Sequence, residues 1–106
     1  MNEIKQNDLF VNVWGCTMRK CDFYQVISVD KSKVYLRTPE FEDNSGGYDG
    51  HKWITGLSSG ATYKVFKAKV IRGVLKLCDE NFKVQHGSWV ELKKTEIGKR
   101  ENVYSD

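Results

Sequence analysis

Residues 22–38 read DFYQVISVDKSKVYLRT, and this stretch decides the fold. In residues 22–30, Phe23, Ile27 and Val29 fall on one face and Tyr24 and Val26 on the other. In residues 33–38, Val34 and Leu36 alternate with Tyr35 and Arg37. A period of two, in β-branched and aromatic residues, is the signature of strands. The polar step Asp30-Lys31-Ser32 between the two runs predicts a tight hairpin. Upstream, DLFVNVW at 8–14 repeats the pattern, with Leu9, Val11 and Val13 set against Phe10, Asn12 and Trp14.

Downstream, Pro39 ends the third strand. FEDNSGGYDGH at 41–51 reads as a loop from its Gly, Asn, Asp and Ser content, made acidic by Glu40, Glu42, Asp43 and Asp49. A short apolar patch, Trp53-Ile54, leads into GLSSG. In TYKVFKAKVIRG at 62–73, Phe66, Ala68 and Val70 oppose Val65, Lys67, Lys69 and Ile71. A helix is the rival, because Ala61, Val65 and Ala68 fit a helical stripe, but β-branched content and Gly73 favour a strand. GVLKLCD, FKVQH and SWVELKK follow as short strands, and TEIGKRENVYSD reads as a polar, loose tail. The expected architecture is all-β, a small SH3-like barrel or short-strand sandwich of six to seven strands. One β domain would span 1–94 and a flexible polar tail 95–106.

The chain has 106 residues with a net charge of +3, 40% hydrophobic and 29% charged, ordinary values for a folded domain. The charge is uneven: the first 53 residues carry −1 and the rest +4. No apolar run approaches the roughly 18 residues of a membrane span. MNEIKQNDLF lacks the basic-then-apolar profile of a signal peptide, so a cytoplasmic protein is expected. Three cysteines, Cys16, Cys21 and Cys78, are an odd number without an export signal and read as reduced thiols.

The opening third carries a resemblance. Asp8, Trp14, Gly15, Asp22, Phe23, Tyr24, Gln25 and Val26 match, without a gap, a pattern that runs Gly-Asp, an apolar pair, then Ser-Trp-Gly-Tyr-Asp-Gln-Thr-Asn-Val-Asp-Phe-Tyr-Gln-Val. Over about the first 35 residues the chain thus resembles a family of small proteins common in phages and prophages. The resemblance implies a phage or mobile-element origin and no particular chemistry. Cys16 stands where the pattern has Tyr and Cys21 where it has Val, so the thiols read as incidental passengers on a first-loop hairpin.

Chemistry-bearing constellations are sparse. Cys16, Cys21 and Cys78 with His51 or His86 would give four soft ligands for zinc. Four residues separate the first two cysteines, however, and Cys78 stands alone in a strand, so neither metal nor cofactor is expected. Arg19 and Lys20 would lower the pKa of Cys21, but no base stands at a fixed spacing, and no enzyme is expected. The acidic loop lacks the glutamate that a calcium loop needs, and SGGYDG lacks the context of a phosphate cradle.

Aromatic residues say more. Trp14, Phe23, Phe66 and Trp89 are expected in or beside the core, and Tyr24, Tyr35, Tyr48 and Trp53 partly exposed. Arg19, Lys20, Tyr24, Tyr35, Arg37 and Trp53 form the expected partner surface, aromatic rings interleaved with basic groups. The expected function is a non-enzymatic accessory protein that binds and inhibits a host protein or ribonucleoprotein complex, of the anti-CRISPR or other anti-defence type. A strongly acidic DNA mimic is excluded by the +3 charge. One alternative is a small nucleic-acid-binding barrel that uses Lys64, Lys67, Lys69, Arg72 and Lys76. Another is a sponge for a nucleotide signal.

Overall fold

The computed structural model describes residues 3–15, 18–44, 50–84 and 90–104. Among them the chain forms nine strands: β1 (Leu9–Trp14), β2 (Lys20–Asp30), β3 (Lys33–Arg37), β4 (Glu40–Asn44), β5 (Gly50–Gly56), β6 (Phe66–Ile71), β7 (Val74–Cys78), β8 (Glu91–Thr95) and β9 (Glu101–Val103). Strands β1, β2, β3, β6, β7 and β8 close into an antiparallel barrel, and β4, β5 and β9 form a separate small sheet. The all-β barrel is as the sequence predicts, with more strands than the expected six to seven. No helix among the described residues is long and apolar enough to cross a membrane.

The two tight turns have clear local causes. Lys31 adopts φ +58° between the directly paired Asp30 and Lys33, giving a two-residue hairpin. Arg72 and Gly73 sit at φ +52° and +81° between the paired Ile71 and Val74. Positive φ at both central residues is the type I′ turn, whose twist matches that of the flanking strands. Residues 66–71 are therefore strand, as their β-branched pattern predicts.

Two cores lie on opposite faces of the β1–β2 pair. Phe10, Tyr24, Val26, Val34, Leu36, Ala68, Leu75 and Leu92 fill the barrel. Leu9, Val11, Cys21, Phe23, Ile54 and Val103 fill the space between the barrel wall and the small sheet. Alternation along β1 and β2 thus feeds both cores at once. The carboxamide of Gln25, buried on the outer face of β2, accepts from the Ser58 N–H (2.8 Å) and donates to the Ser58 carbonyl (3.1 Å). It pins the β5–β6 connection as a strand neighbour would. At the barrel's closing seam, β8 pairs with β7, among the described residues, at Leu75–Leu92 and Lys76–Glu91. There the buried Asn12 adds a bond from its Nδ2 to the Glu91 carbonyl (3.1 Å).

Five expectations are corrected. The stretch 41–51 is not all loop: Glu40–Asn44 pairs with Gly50–Gly56, and its loop-like composition reflects an edge strand exposed at every residue. Residues 95–106 are not a loose tail, because Thr95 completes β8 and Glu101–Val103 pairs with β5, burying Val103. The face assigned to Val29 is wrong, because a bulge between Val26 and Ser28 puts Val29 directly opposite the inward Val34. Trp14 is 42% exposed, not core: it shares a side with Phe10 but lies beyond Leu9–Val11, where β8 covers β1. Tyr24, expected at the surface, is 6% exposed inside the barrel, edge-on to Phe66 with centroids 5.2 Å apart. Phe23 is buried and Phe66 half-buried, as expected. Of the predicted strand 82–86, Val84 forms an isolated bridge to Cys78, while residues 85–89, with Trp89, and the loop residues 45–49, with Tyr48 and Asp49, lie outside the described residues.

Leu36 is fully buried at the centre of the barrel. Leu36→Ala is expected to lower the unfolding free energy by about 2–5 kcal/mol, the range for a buried Leu truncation. Chemical denaturation monitored by circular dichroism measures it.

Candidate polyanion-binding face

Inward Val34, Leu36 and Ala68 on β3 and β6 force their neighbours outward. Register then sets those outward residues side by side. Tyr35 pairs with Lys67, which pairs with Cys78; Lys33 pairs with Lys69, which pairs with Lys76. Lys33, Lys69 and Lys76 therefore form a row across three adjacent strands, on the order of 10 Å long at the usual strand spacing. Like charges directly opposite one another destabilise a sheet. The row is neutralised at one end only, where Lys76 Nζ lies 4.0 Å from Glu91 Oε1; among the described residues no carboxylate pairs with Lys33 or Lys69.

An aromatic residue unnoticed in the sequence completes this face. Phe82 sits at φ +59°, a left-handed conformation that costs a bulky residue energy. The Asp79 carboxylate holds it there: Oδ1 accepts from the N–H groups of Asn81 and Lys83, each at 2.9 Å, and the Phe82 N–H donates to the Asp79 carbonyl at 3.1 Å. The bonds from Lys83 and Asn81 hold the Asp79 carboxyl below its ordinary value. The turn lays Phe82 edge-on against Tyr35, centroids 5.6 Å apart, with Lys33 and Lys67 4.8 and 5.3 Å from its ring centre. The Lys67 ammonium also donates to the Glu80 carbonyl at 2.8 Å. Two rings and four ammonium groups thus share one surface.

The six-residue partner surface expected from sequence does not assemble. Arg19 is tied to β9 through the Asn102 carbonyl (2.7 Å) and Glu101 (3.5 Å). Lys20 starts β2 opposite Trp14, and Tyr24 is inside the barrel. Arg37 donates to the Gly60 carbonyl (3.0 Å) and stacks 3.9 Å from the Tyr63 ring centre, which anchors the β5–β6 connection. Trp53 lies on the small sheet with the Arg100 guanidinium 4.3 Å from its ring centre. Tyr35 alone joins the face described here. Of the alternative set, Lys67, Lys69 and Lys76 come together; Arg72 occupies the adjoining turn, and Lys64 lies over the Phe66 ring at 4.9 Å.

The two described thiols are separated and dulled. Cys21 is buried between the layers, and Cys78 is half-buried on the outer face of β7. Cys16 and His86 lie outside the described residues, and the described residues hold no cluster of three or more metal-ligating side chains. Arg19 and Lys20 do not activate Cys21: burial outweighs the attraction of Lys52 and Arg19 and pushes its thiol up to about 11. Burial also raises Cys78, and burial with the nearby Asp22 carboxylate pushes Tyr24 up to about 12.

A raised thiol pKa favours the neutral form in the folded state. The contribution of Cys21 to stability is therefore complete below its ordinary value of 9.0 and is lost as pH rises through about 11. In a Cys16→Ser/Cys78→Ser protein, Cys21 is expected to resist a chromogenic disulfide reagent at about pH 8 and to react at once when denaturant is added, since the thiolate is the nucleophile. Immediate reaction of the native protein would contradict this placement. No family model, curated protein or solved structure matches this chain.

Proposed function

We propose that the chain is a non-enzymatic binding protein that takes a nucleic-acid partner across the outer face of β3, β6 and β7. The observation that carries this reading is the lysine row, which opposes like charges across adjacent strands and gains from an anionic partner what it lacks within the fold. Tyr35 and Phe82 beside the row add ring faces of the kind on which bases stack. The spread of the other expected contact residues over three regions supports this face over the rim anticipated from sequence. In keeping with the resemblance of its first third to phage proteins, the proposed setting is a mobile-element factor acting on a host nucleic acid or ribonucleoprotein.

A second reading, inhibition of a host complex through protein contact, is favoured by Trp53 and its stacked Arg100, residue types that dominate binding hot spots. Retention of a host protein after nuclease treatment, abolished by Trp53→Ala, would favour this second reading.

Lys69→Glu separates binding from stability. Binding of a fluorescent single-stranded oligonucleotide is expected to weaken with salt at a logarithmic slope of about −2 to −3, from roughly 0.7 per phosphate neutralised. Lys69→Glu is expected to weaken it further while raising fold stability by about 0.2–1 kcal/mol, because a like-charge pair becomes an opposite-charge one. Salt-independent binding, or binding unaffected by Lys69→Glu, refutes the face.

A further inference from the structure

At the end of the barrel beside this face lies an open hollow of about 570 Å³, within the range of small-ligand sites. Phe66, Leu77, Val65 and Tyr24 give its lining an apolar part, and Lys64, Lys67, Asp79 and Glu80 give it a charged one, with the Lys67 ammonium on the Glu80 carbonyl. Lys67 and Cys78 belong both to the hollow and to the strands of the lysine row, so the two features are continuous. We propose that the hollow receives one unstacked base of a single-stranded nucleic acid whose phosphates run along the row; this rests on the nucleic-acid reading above.

The chemistry restricts the occupant. A flat, largely apolar ring with polar edges suits a lining that joins Phe66, Leu77 and Val65 to charged groups. Lys64 and Lys67 favour a phosphate at the mouth, whereas the negative charge of Asp79 and Glu80 opposes a phosphate within the hollow. A base inside with its phosphates outside satisfies both conditions, and a free, highly charged nucleotide does not. With Asp79 Oδ1 engaged by the turn, the Glu80 carboxylate and the second Asp79 oxygen are the acceptors left, so bases bearing an exocyclic amino group, adenine and cytosine, are favoured over thymine. A single strand presents such a base without the unpairing that a duplex demands.

Three labelled ten-nucleotide strands test this by fluorescence anisotropy: deoxyadenosine, thymidine, and an abasic deoxyribose-phosphate strand of equal charge. The expected result is about tenfold or more tighter binding of the adenine strand than of the abasic one, the order of stacking one base, with thymidine between. Val65 is exposed, so Val65→Trp fills the hollow from outside the core. It is expected to erase the adenine advantage and leave abasic affinity unchanged. Equal affinity of the three strands for the wild-type protein, or an adenine advantage that survives Val65→Trp, overturns the hollow and leaves the lysine row standing. Binding of none of them overturns both.

Discussion

Burial of both faces of the β1–β2 hairpin is the constraint on which the rest depends. The hairpin is at once a wall of the barrel and the floor beneath the small sheet. Phe10, Tyr24 and Val26 face one core, and Leu9, Val11, Cys21 and Phe23 the other. Without β5 and β9 those outward side chains would meet water, so the layers are interdependent, and the polar C-terminal segment is recruited through one buried valine, Val103. Lys52, which donates to the Cys21 carbonyl at 2.8 Å and lies 4.8 Å from the Phe41 ring centre, closes one side of that second core with its charge still satisfied.

How much of this was legible in the sequence follows from what alternation encodes. It encodes sides, and so the inward Val34 and Leu36 of β3 and the inward Phe66, Ala68 and Val70 of β6 were readable, although a helix stayed a rival for the latter and the strand starts at Phe66 and not at Thr62. It does not encode depth along the barrel, which reversed Trp14 and Tyr24. Nor does it survive an inserted residue, so the bulge after Val26 misplaced Val29. A strand with no buried face has no apolar pattern to show, which hid β4 among loop-like residues. A strand held by a single apolar side chain shows too little, which hid β9.

The candidate face was half legible for related reasons. Alternation alone sets Lys67 and Lys69 on one side of β6. Their alignment with Lys33 and Lys76 depends on register between strands distant in the chain, which no local pattern carries. Phe82 arrives by a left-handed turn; the only signal in the sequence is the Asp79-Glu80-Asn81 cluster before it, which reads as a turn without saying where the next ring will point. The hollow is a still less local feature, assembled from β2, β6, β7 and the turn after β7.

The seam at β8 has a consequence for how the barrel comes apart. Among the described residues β8 has two paired positions on β7 and three on β1, the fewest of any strand in the ring, and it carries the main-chain carbonyl that Asn12 clasps. Sub-global opening is therefore expected to begin by peeling β8 away, which would turn a closed ring into a curled sheet with two free edges. The amides of Glu91–Thr95 are expected to exchange with solvent earliest among the barrel strands, and those of the doubly covered β1–β2 hairpin last. On the same ground closure of the ring is expected late in folding, and the edges of β7 and β1 that it leaves open until then are where two chains at high concentration would trade strands.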